Sequence, residues 1–387
     1  MSAYPNPLAA IGVDRFYADY WQRQPLLLRN ALPDHPLPVD ADELAGLACE
    51  DWVASRLITG SWEENNFTLQ HGPIDGSVYE TLGERDWTLL VQDVDKLHPN
   101  AAELLTRFDF IPAWRLDDLM ISFAASGGSV GPHTDEYDVF LLQLSGRRRW
   151  QISQNFDPGW REGMDLRVLD AFSGEQEWIC EPGDLLYLPP GVAHYGVALE
   201  PGMTASVGLR APSLADLVDD LADHWAQRET SPRYSDADCG PPADRWQVDA
   251  AAIARFRALL MQLANAPEAE FHAWLGSALG RYRLAMPLLN EEHSELPPVR
   301  QQQLIAALRR GDCLWQRQPA ARLHWLACGD AALLCANGET LQCSVAEARQ
   351  VCASPILRAP LEISDQVLDF CLTSAAFELS DEDVAGT

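Results

Sequence analysis

Between residues 52 and 210, short runs of alternating apolar and polar residues follow one another, and glycine or proline interrupts the runs. A period of two is typical of β-strands with one buried face, and the interruptions predict tight turns. Many short strands at this spacing predict a β-sandwich or barrel. The clearest strands are predicted at 88–94, 119–125, 138–144, 148–152 and 184–190.

After residue 210 the apolar residues recur with a helical period. Ser213 is predicted to cap the first helix, and amphipathic helices are predicted over 248–265 and 267–282, after a polar loop over 227–246. Three such helices bury little apolar surface by themselves. We therefore expect a second copy of the chain to pack on them, which makes the protein a homodimer.

The last part of the chain follows a linker predicted at 290–298 and combines helices with a β-hairpin. Helices are predicted over 299–310 and 345–351, and Asn337-Gly338 is a dipeptide that favours a two-residue hairpin turn. This order resembles a winged-helix module. Segment 298–387 contains seven Arg or Lys and eleven Asp or Glu residues, so we expect it to face protein or to be structural, and not to read DNA.

The charge and the cysteines narrow the class of protein. The chain has 387 residues and a formal net charge of −29, which disfavours direct nucleic-acid binding and favours a basic partner. Its nine cysteines form no CxxC pair, which favours reduced thiols over a disulfide framework or a zinc site. We find no apolar run of membrane-span length and no signal-peptide pattern, so we expect a cytoplasmic protein with no membrane segment.

Three potential metal ligands stand beside the predicted strands. His133 and Asp135 are two residues apart at the start of one strand, so both side chains project from the same face. His194 follows a Pro-Gly turn that leads into another strand. Two imidazoles and one carboxylate on one face of a metal leave adjacent positions open, which is how non-haem Fe(II) is held. The pair His133 and Asp135 alone also fits an ordinary polar strand end.

A cluster of three arginines follows a Ser-Gly turn, where the strand alternation restarts. Arg148 then shares an apolar, inward face with Trp150 and Ile152, whereas Arg147 and Arg149 lie on the solvated face. A buried guanidinium is unfavourable unless a carboxylate pairs with it. Either a protein carboxylate or a bound dicarboxylate meets this need. A dicarboxylate whose near end chelates the metal also accounts for the three ligands.

These features resemble a known family. HTD at 133–135, Arg148 fifteen residues after the first histidine, and the later His194 resemble the JmjC-type 2-oxoglutarate oxygenases. The wider motifs FYADYWQRQPLLLRN, WRLDDLMISFA and LYLPPGVAHYG are similar to bacterial ribosomal oxygenases. The resemblance spans the chain and implies an α+β fold. A double-stranded β-helix (the jelly-roll of cupins and JmjC proteins) over 1–210 precedes a helical dimerisation domain over 211–289 and a winged-helix domain over 290–387.

The resemblance also implies a reaction and its residues. The bacterial ribosomal oxygenases hydroxylate the β-carbon (C3) of an arginine in protein sixteen of the large ribosomal subunit, with Fe(II), 2-oxoglutarate and O2. The implied iron ligands are His133, Asp135 and His194. Arg148 is implied to bind the distal carboxylate of 2-oxoglutarate and Ser122 to contact the same co-substrate, although an ordinary strand serine explains Ser122 equally well. Weaker candidates for receiving the substrate arginine are Asp117, Asp118 and Tyr137.

Two other functions remain open at this stage. A 2-oxoglutarate hydroxylase for a small molecule or another protein would keep the metal ligands and Arg148 without needing the appended domains. A non-catalytic, cupin-like binding protein would not depend on the metal ligands and would form no succinate.

Overall fold

Two antiparallel sheets form most of the first part of the chain. The computed structural model describes residues 6–33, 35–228, 232–235, 237, 249–264, 266–281 and 297–380. It divides into two compact units, of which one comprises Met1–Ala211 with Gln318–Ala320, and the other most of the chain from Pro212 onwards. The strands of the first unit are Leu26–Leu28 (β1), Ser55–Thr59 (β2), Thr68–His71 (β3), Trp87–Val91 (β4), Leu116–Ala124 (β5), Val139–Ser145 (β6), Arg148–Ser153 (β7), Gln176–Cys180 (β8), Leu185–Leu188 (β9), Ala193–Ala198 (β10) and Gly202–Leu209 (β11).

The larger sheet has the strand order β1-β9-β6-β11-β5-β4-β2-β3, and the smaller sheet has the order β10-β7-β8. All neighbouring strands in both sheets are antiparallel. The five strands predicted from alternation are therefore confirmed, with shifts at their ends. The predicted strand 88–94 ends early, at Val91, because Asp93 has a left-handed backbone (φ 57°) and the next helix begins at Val94.

The inner faces of the two sheets pack on each other and leave room for a site between them. Leu141 and Leu186 of the larger sheet join Trp150 and Ile152 of the smaller sheet in one buried cluster. The outer face of the larger sheet is covered by the N-terminal segment, whose Phe16 is completely buried. Packing on both sides of the central strands explains why β6, β9 and β11 are buried at almost every position.

The helices of the first unit are short and lie near its N-terminus or between β4 and β5. They are Val13–Arg15 (α1), Ala41–Ala48 (α2), Val94–Leu97 (α3) and Pro99–Leu105 (α4). A π-helical turn over Phe16–Tyr20 continues α1, and short 3₁₀ turns lie at Gly76–Val78, Thr106–Phe108 and Ala113–Arg115. A reciprocal capping box between Asp40 and Glu43 fixes the start of α2.

The second unit contains the remaining elements. These are Leu214–Ala226 (α5), Ala250–Ala264 (α6), Glu268–Gly280 (α7), Pro298–Arg310 (α8), Trp315–Arg317 (β12), Leu323–Cys328 (β13), Ala331–Ala336 (β14), Glu339–Ser344 (β15), Val345–Ala353 (α9), Ile356–Leu357 (β16), Asp365–Thr373 (α10) and Phe377–Leu379 (β17). The Ser213 hydroxyl accepts from the Asp216 amide, which confirms the predicted cap of α5. The Asn337-Gly338 turn between β14 and β15 has φ of 49° and 90°, as the predicted hairpin requires.

Some expectations fall largely outside the described residues, namely the loop over 227–246 and the linker over 290–298. The eight cysteines in the described part of the chain are all free thiols, in agreement with the reduced state expected from their spacing. None of the helices found in the described ranges has the length and apolar character that a membrane crossing requires.

Candidate metal centre

Backbone pairing brings the two candidate histidines side by side. The His133 amide donates to the His194 carbonyl (3.0 Å), and the His194 amide donates to the His133 carbonyl (2.9 Å). The centroids of the two imidazole rings are consequently 4.2 Å apart. The Asp135 carbonyl accepts from the Gly191 amide (2.7 Å), so the Pro-Gly turn before β10 also holds the aspartate in place.

Three ligand atoms converge at this point. One atom from each of His133, Asp135 and His194 lies within 4.8 Å of the others, so the group can hold one metal ion. The Asp135 carboxylate is 3.6 Å from Nε2 of His194 and 4.0 Å from Nε2 of His133. Sequence spacing alone suggested that His133 and Asp135 lie together, and the fold brings His194 to them.

The hydrogen bonds around the two imidazoles suit them for metal binding. Nδ1 of His133 lies 3.0 Å from the Gly131 carbonyl, and Nδ1 of His194 lies 3.0 Å from the Val192 carbonyl. A carbonyl only accepts, so each Nδ1 carries a proton and Nε2 is the ring atom turned toward the metal position. Burial, and then the neighbouring His133, lower the pKa of His194 to about 4, so this imidazole is neutral near pH 7. Two imidazole nitrogens and a carboxylate oxygen match the ligand preference of Fe(II).

A cavity of about 260 Å³ opens between the two sheets next to these ligand atoms. Residues of alternate positions on β4, β5, β6, β7 and β11 line it, as expected when one face of each strand is turned inward. Its polar lining residues are Arg56, Thr88, Gln92, Asp118, Ser122, His133, Asp135, Tyr137, Arg148, Arg167, His194, Thr204 and Ser206.

Arg148 enters this cavity from β7, and its side chain is buried, with 5% of its surface exposed. The inward face expected from alternation agrees with the burial of Trp150 and Ile152, whereas Arg147 lies outside and pairs with Glu200 (3.1 Å). Within the described ranges, no carboxylate forms an ion pair with Arg148, and its Nη2 has no hydrogen-bond partner. Burial lowers the pKa of Arg148 to about 10, so the guanidinium remains charged near pH 7. The cavity therefore contains a cation suited to an anionic ligand.

The other candidates divide between the cavity and the surface. Ser122 is buried and lines the cavity, and its hydroxyl donates weakly to the Thr204 carbonyl (3.4 Å). Asp118 and Tyr137 also line the cavity, Tyr137 with 42% of its surface exposed. Asp117 points away from the cavity and accepts from Nε of Arg210 (2.9 Å). Of the two consecutive aspartates, Asp118 is thus the one available to a ligand in the cavity.

Sequence reasoning did not single out several polar residues of the cavity. Thr88 on β4 and Thr204 on β11 face the same space as Ser122, and Arg56 and Arg167 stand among the lining residues. The available signal was the strand alternation, which places Thr88 two residues before Leu90 on the inward face of β4. Strand alternation shows which face of β4 Thr88 lies on, but it does not show which residues lie across the cavity from it.

Comparison with known proteins supplies a family context. A model of the JmjC domain matches residues 103–217. The chain is 37% identical over 356 residues to the ribosomal protein uL16 3-hydroxylase of Escherichia coli, with 92% of each protein covered. A solved structure of E. coli YcfD matches with a TM-score of 0.83 and 34% identity, covering 96% of this chain and 98% of that one. A structure of the ribosomal oxygenase YcfD from E. coli, in complex with cobalt and 2-oxoglutarate, has the same identity and coverage and a TM-score of 0.81. The expected JmjC-type fold is confirmed.

Proposed function

Because this chain belongs to the JmjC-domain ribosomal oxygenases, we propose that it is an Fe(II)- and 2-oxoglutarate-dependent dioxygenase. Its proposed reaction adds a hydroxyl group to C3 of an arginine in protein uL16 of the large ribosomal subunit. The observation that carries the proposal is one cavity with a His-Asp-His ligand set at one side and, at another, a buried arginine for which the described residues offer no carboxylate partner.

The metal-binding residues are His133, Asp135 and His194. When bound, Fe(II) supplies the activation of O2 that couples decarboxylation of 2-oxoglutarate to oxidation of a substrate C–H bond. The carbonyls of Gly131 and Val192 hold each Nε2 toward the metal position, so the chain presents its three ligands without reorganisation.

The co-substrate is held by its charge. Arg148 receives the distal carboxylate of 2-oxoglutarate, and this pairing satisfies the guanidinium nitrogen that has no partner within the described residues. Ser122 lies on the neighbouring strand β5 with its side chain in the same cavity, where its hydroxyl contacts the same molecule. The proposal therefore takes the second of the two explanations for a buried Arg148, a bound dicarboxylate.

The substrate arginine enters at the side of the cavity where Asp118 and Tyr137 lie. Asp118 is the carboxylate that pairs with the incoming guanidinium, and Tyr137 provides an aromatic face for it. A net charge of −29 favours approach of a basic ribosomal protein and disfavours nucleic acid as a direct partner. Such a substrate places the enzyme in the cytoplasm, where ribosomal proteins are made.

Substrate binding is expected to weaken below neutral pH. Burial raises the pKa of Asp118 to about 7, opposed by Lys96 and assisted by the charges of neighbouring aspartates. A protonated carboxyl pairs poorly with a guanidinium, so KM for the peptide should be about tenfold higher at pH 6 than at pH 8. Steady-state kinetics at saturating 2-oxoglutarate measure this ratio, and Asp118→Asn should remove the dependence.

The variant Asp118→Asn should also be more stable than the wild type at alkaline pH. A carboxyl whose pKa is raised on folding costs stability once it ionises, so the penalty grows between the unfolded pKa, near 3.8, and pH 7. Asp118→Asn is therefore expected to melt at a higher temperature than the wild type at pH 8. A lower melting temperature would contradict the role of Asp118 as a buried group held ready for a cation.

The proposed division of the chain has an oxygenase domain over 1–210, a helical dimerisation domain over 211–289 and a winged-helix domain over 290–387. The apolar side chains on α5 and α6 support the dimer, because they remain exposed in one copy of the chain, Leu214 at 79% and Leu260 at 66%. An uncovered apolar face of this kind marks a protein–protein contact. The winged-helix domain is proposed to be structural or protein-facing.

The dimer is tested by mass in solution. Light scattering on the purified chain should give twice the 42.9 kDa of one copy. Aspartate in place of Phe256 and Leu260, which are both exposed on α6, should shift the mass toward one copy, since burying these charges is costly. A wild-type mass of one copy at micromolar concentration would contradict the dimer.

The proposed activity is tested directly on its substrate. Purified enzyme with Fe(II), 2-oxoglutarate and ascorbate is incubated with a peptide from uL16, and the peptide mass is measured. A gain of one oxygen on an arginine is expected, and omission of 2-oxoglutarate should prevent it. Succinate formation without peptide oxidation would favour a hydroxylase of another protein or of a small molecule. No succinate from an iron-loaded sample would favour a cupin-like binding protein.

A further inference from the structure

The cavity between the sheets contains three buried polar atoms for which the described residues offer no hydrogen-bond partner. They are Nη2 of Arg148, Nε1 of Trp150 and Oγ1 of Thr88. All three side chains line the same cavity, and each residue is at most 5% exposed. Buried polar groups are almost always paired in native proteins, and leaving one unpaired destabilises the fold. Three such groups around one space indicate a ligand that accepts hydrogen bonds.

Gly128 lies between Thr88 and the strand neighbour of Arg148. Arg148 on β7 pairs with Ala198 on β10, and the Ala198 amide donates to the Gly128 carbonyl (3.1 Å). A Cβ atom added to Gly128 would lie 3.0 Å from Oγ1 of Thr88. The threonine hydroxyl thus lies beside Gly128, whose carbonyl is hydrogen-bonded to the residue that pairs with Arg148.

Trp150 is oriented by the strand beside it. A Cβ atom on Gly196 would lie 2.5 to 2.8 Å from Cζ3, Cη2 and Cε3, so this edge of the indole packs directly against the glycine. Nε1 lies on the opposite edge of the indole and is directed away from β10. The Arg148 guanidinium carbon is 5.6 Å from the centroid of the same ring. The indole N–H and the guanidinium therefore lie near the same part of the cavity.

We infer that Thr88 and Trp150 complete, with Arg148, the binding site for the distal carboxylate of 2-oxoglutarate; this inference rests on the proposed function. A carboxylate accepts about four hydrogen bonds, and the guanidinium, the threonine hydroxyl and the indole N–H supply donors of three different geometries. Two of them are neutral and sit on rigid strands, so they fix the position of the carboxylate while Arg148 supplies the charge.

The test compares two ligands that differ only at the distal end. Isothermal titration calorimetry measures binding to the full chain loaded with Mn(II), a metal that permits binding without turnover. The ligands are 2-oxoglutarate and 2-oxopentanoate, in which a methyl group replaces the distal carboxylate. The variants are Thr88→Val, which keeps the side-chain shape, Thr88→Ser, which keeps the hydroxyl, and Trp150→Phe. Thr68→Val makes the same change at an exposed position of β3.

Thr88→Val and Trp150→Phe are each expected to weaken 2-oxoglutarate binding about tenfold, the factor for one hydrogen bond to a charged group. Neither should change the affinity for 2-oxopentanoate, and Thr88→Ser should bind both ligands like the wild type. The unliganded Thr88→Val protein should melt no lower than the wild type, since it loses only a hydroxyl for which the described residues offer no partner.

Two results would overturn the inference alone. One is an unchanged affinity of Thr88→Val and Trp150→Phe for 2-oxoglutarate, and the other is an equal loss for both ligands, which would indicate a structural role. Failure of the Mn(II)-loaded wild type to bind 2-oxoglutarate would overturn the proposed function and this inference with it.

Discussion

Replacing His133 with alanine is expected to lower the rate of uL16 hydroxylation by about a thousandfold or more. Loss of groups that only orient a metal ligand typically costs 10–100-fold, and the loss of the ligand itself should exceed that. The two remaining ligand atoms, from Asp135 and His194, would hold the metal in a site that also admits water. Among the described residues, no other histidine, cysteine or carboxylate side chain converges with Asp135 and His194 to replace His133.

Metal content separates this effect from unfolding. The His133→Ala protein, freed of metal and then titrated with Fe(II) without oxygen, should bind less than one equivalent, and its circular dichroism should match the wild type. His71→Ala is the matched control, because His71 lies exposed on β3 and lines no part of the cavity. A His133→Ala protein that binds iron stoichiometrically and hydroxylates at the wild-type rate would refute the metal assignment.

Replacing Arg148 with methionine is expected to weaken 2-oxoglutarate binding about 100-fold or more. Truncating one member of a buried, hydrogen-bonded charge pair costs about 2–5 kcal/mol, because the other charge is left unpaired. Methionine keeps much of the volume of the arginine stem, so the effect is due to the lost guanidinium. Arg148→Lys keeps the charge but loses the forked geometry of the guanidinium. Its affinity for 2-oxoglutarate should therefore lie between those of the wild type and Arg148→Met.

The same substitution should have the opposite effect on stability in the absence of ligand. Burial disfavours the charged form of Arg148, as its lowered pKa of about 10 indicates, and within the described ranges no carboxylate compensates it. An apolar side chain removes this penalty, so the unliganded Arg148→Met protein should melt above the wild type. An arginine that merely supported the fold would give a lower melting temperature.

The measurements for Arg148 are KM for 2-oxoglutarate and thermal melting with and without the co-substrate. The wild type should gain melting temperature when 2-oxoglutarate and Mn(II) are added together, and Arg148→Met should gain much less. Arg147→Met is the control from the adjacent position, since Arg147 lies outside and pairs with Glu200. Equal KM values for wild type and Arg148→Met would exclude Arg148 as the co-substrate ligand.

Strand alternation was the most informative local signal in this chain. It placed Arg148 on the inward face of β7 with Trp150 and Ile152, and all three are buried. The placement of Arg148 succeeds because side chains alternate strictly along a strand, so the direction of each follows from its neighbours. The strand expected to start at His133 and Asp135 was wrong, because β6 begins only at Val139. The bridge between His133 and His194 and the hydrogen bond from the Gly191 amide to the Asp135 carbonyl hold these two ligands instead.

The limits of the same reasoning appear at Asp117 and Asp118. The two residues are adjacent on β5 and chemically identical, so composition and charge do not distinguish them. Asp118 lines the cavity, whereas Asp117 accepts from Arg210, which lies at the end of β11. Alternation along β5 puts Asp118 on the same face as Ser122, but only the packing of the sheets decides that this face borders the cavity.

The sequence by itself determined the strand and helix segments, the inward face of β7 and the residue types of the metal site, because these depend on neighbours along the chain. Only the tertiary structure decided that His194 pairs with His133, that no described carboxylate reaches Arg148, and that Thr88 and Trp150 face the same cavity. These facts depend on strand register and on how two sheets pack. Register is set by the combined burial of many residues, so no local pattern contains it.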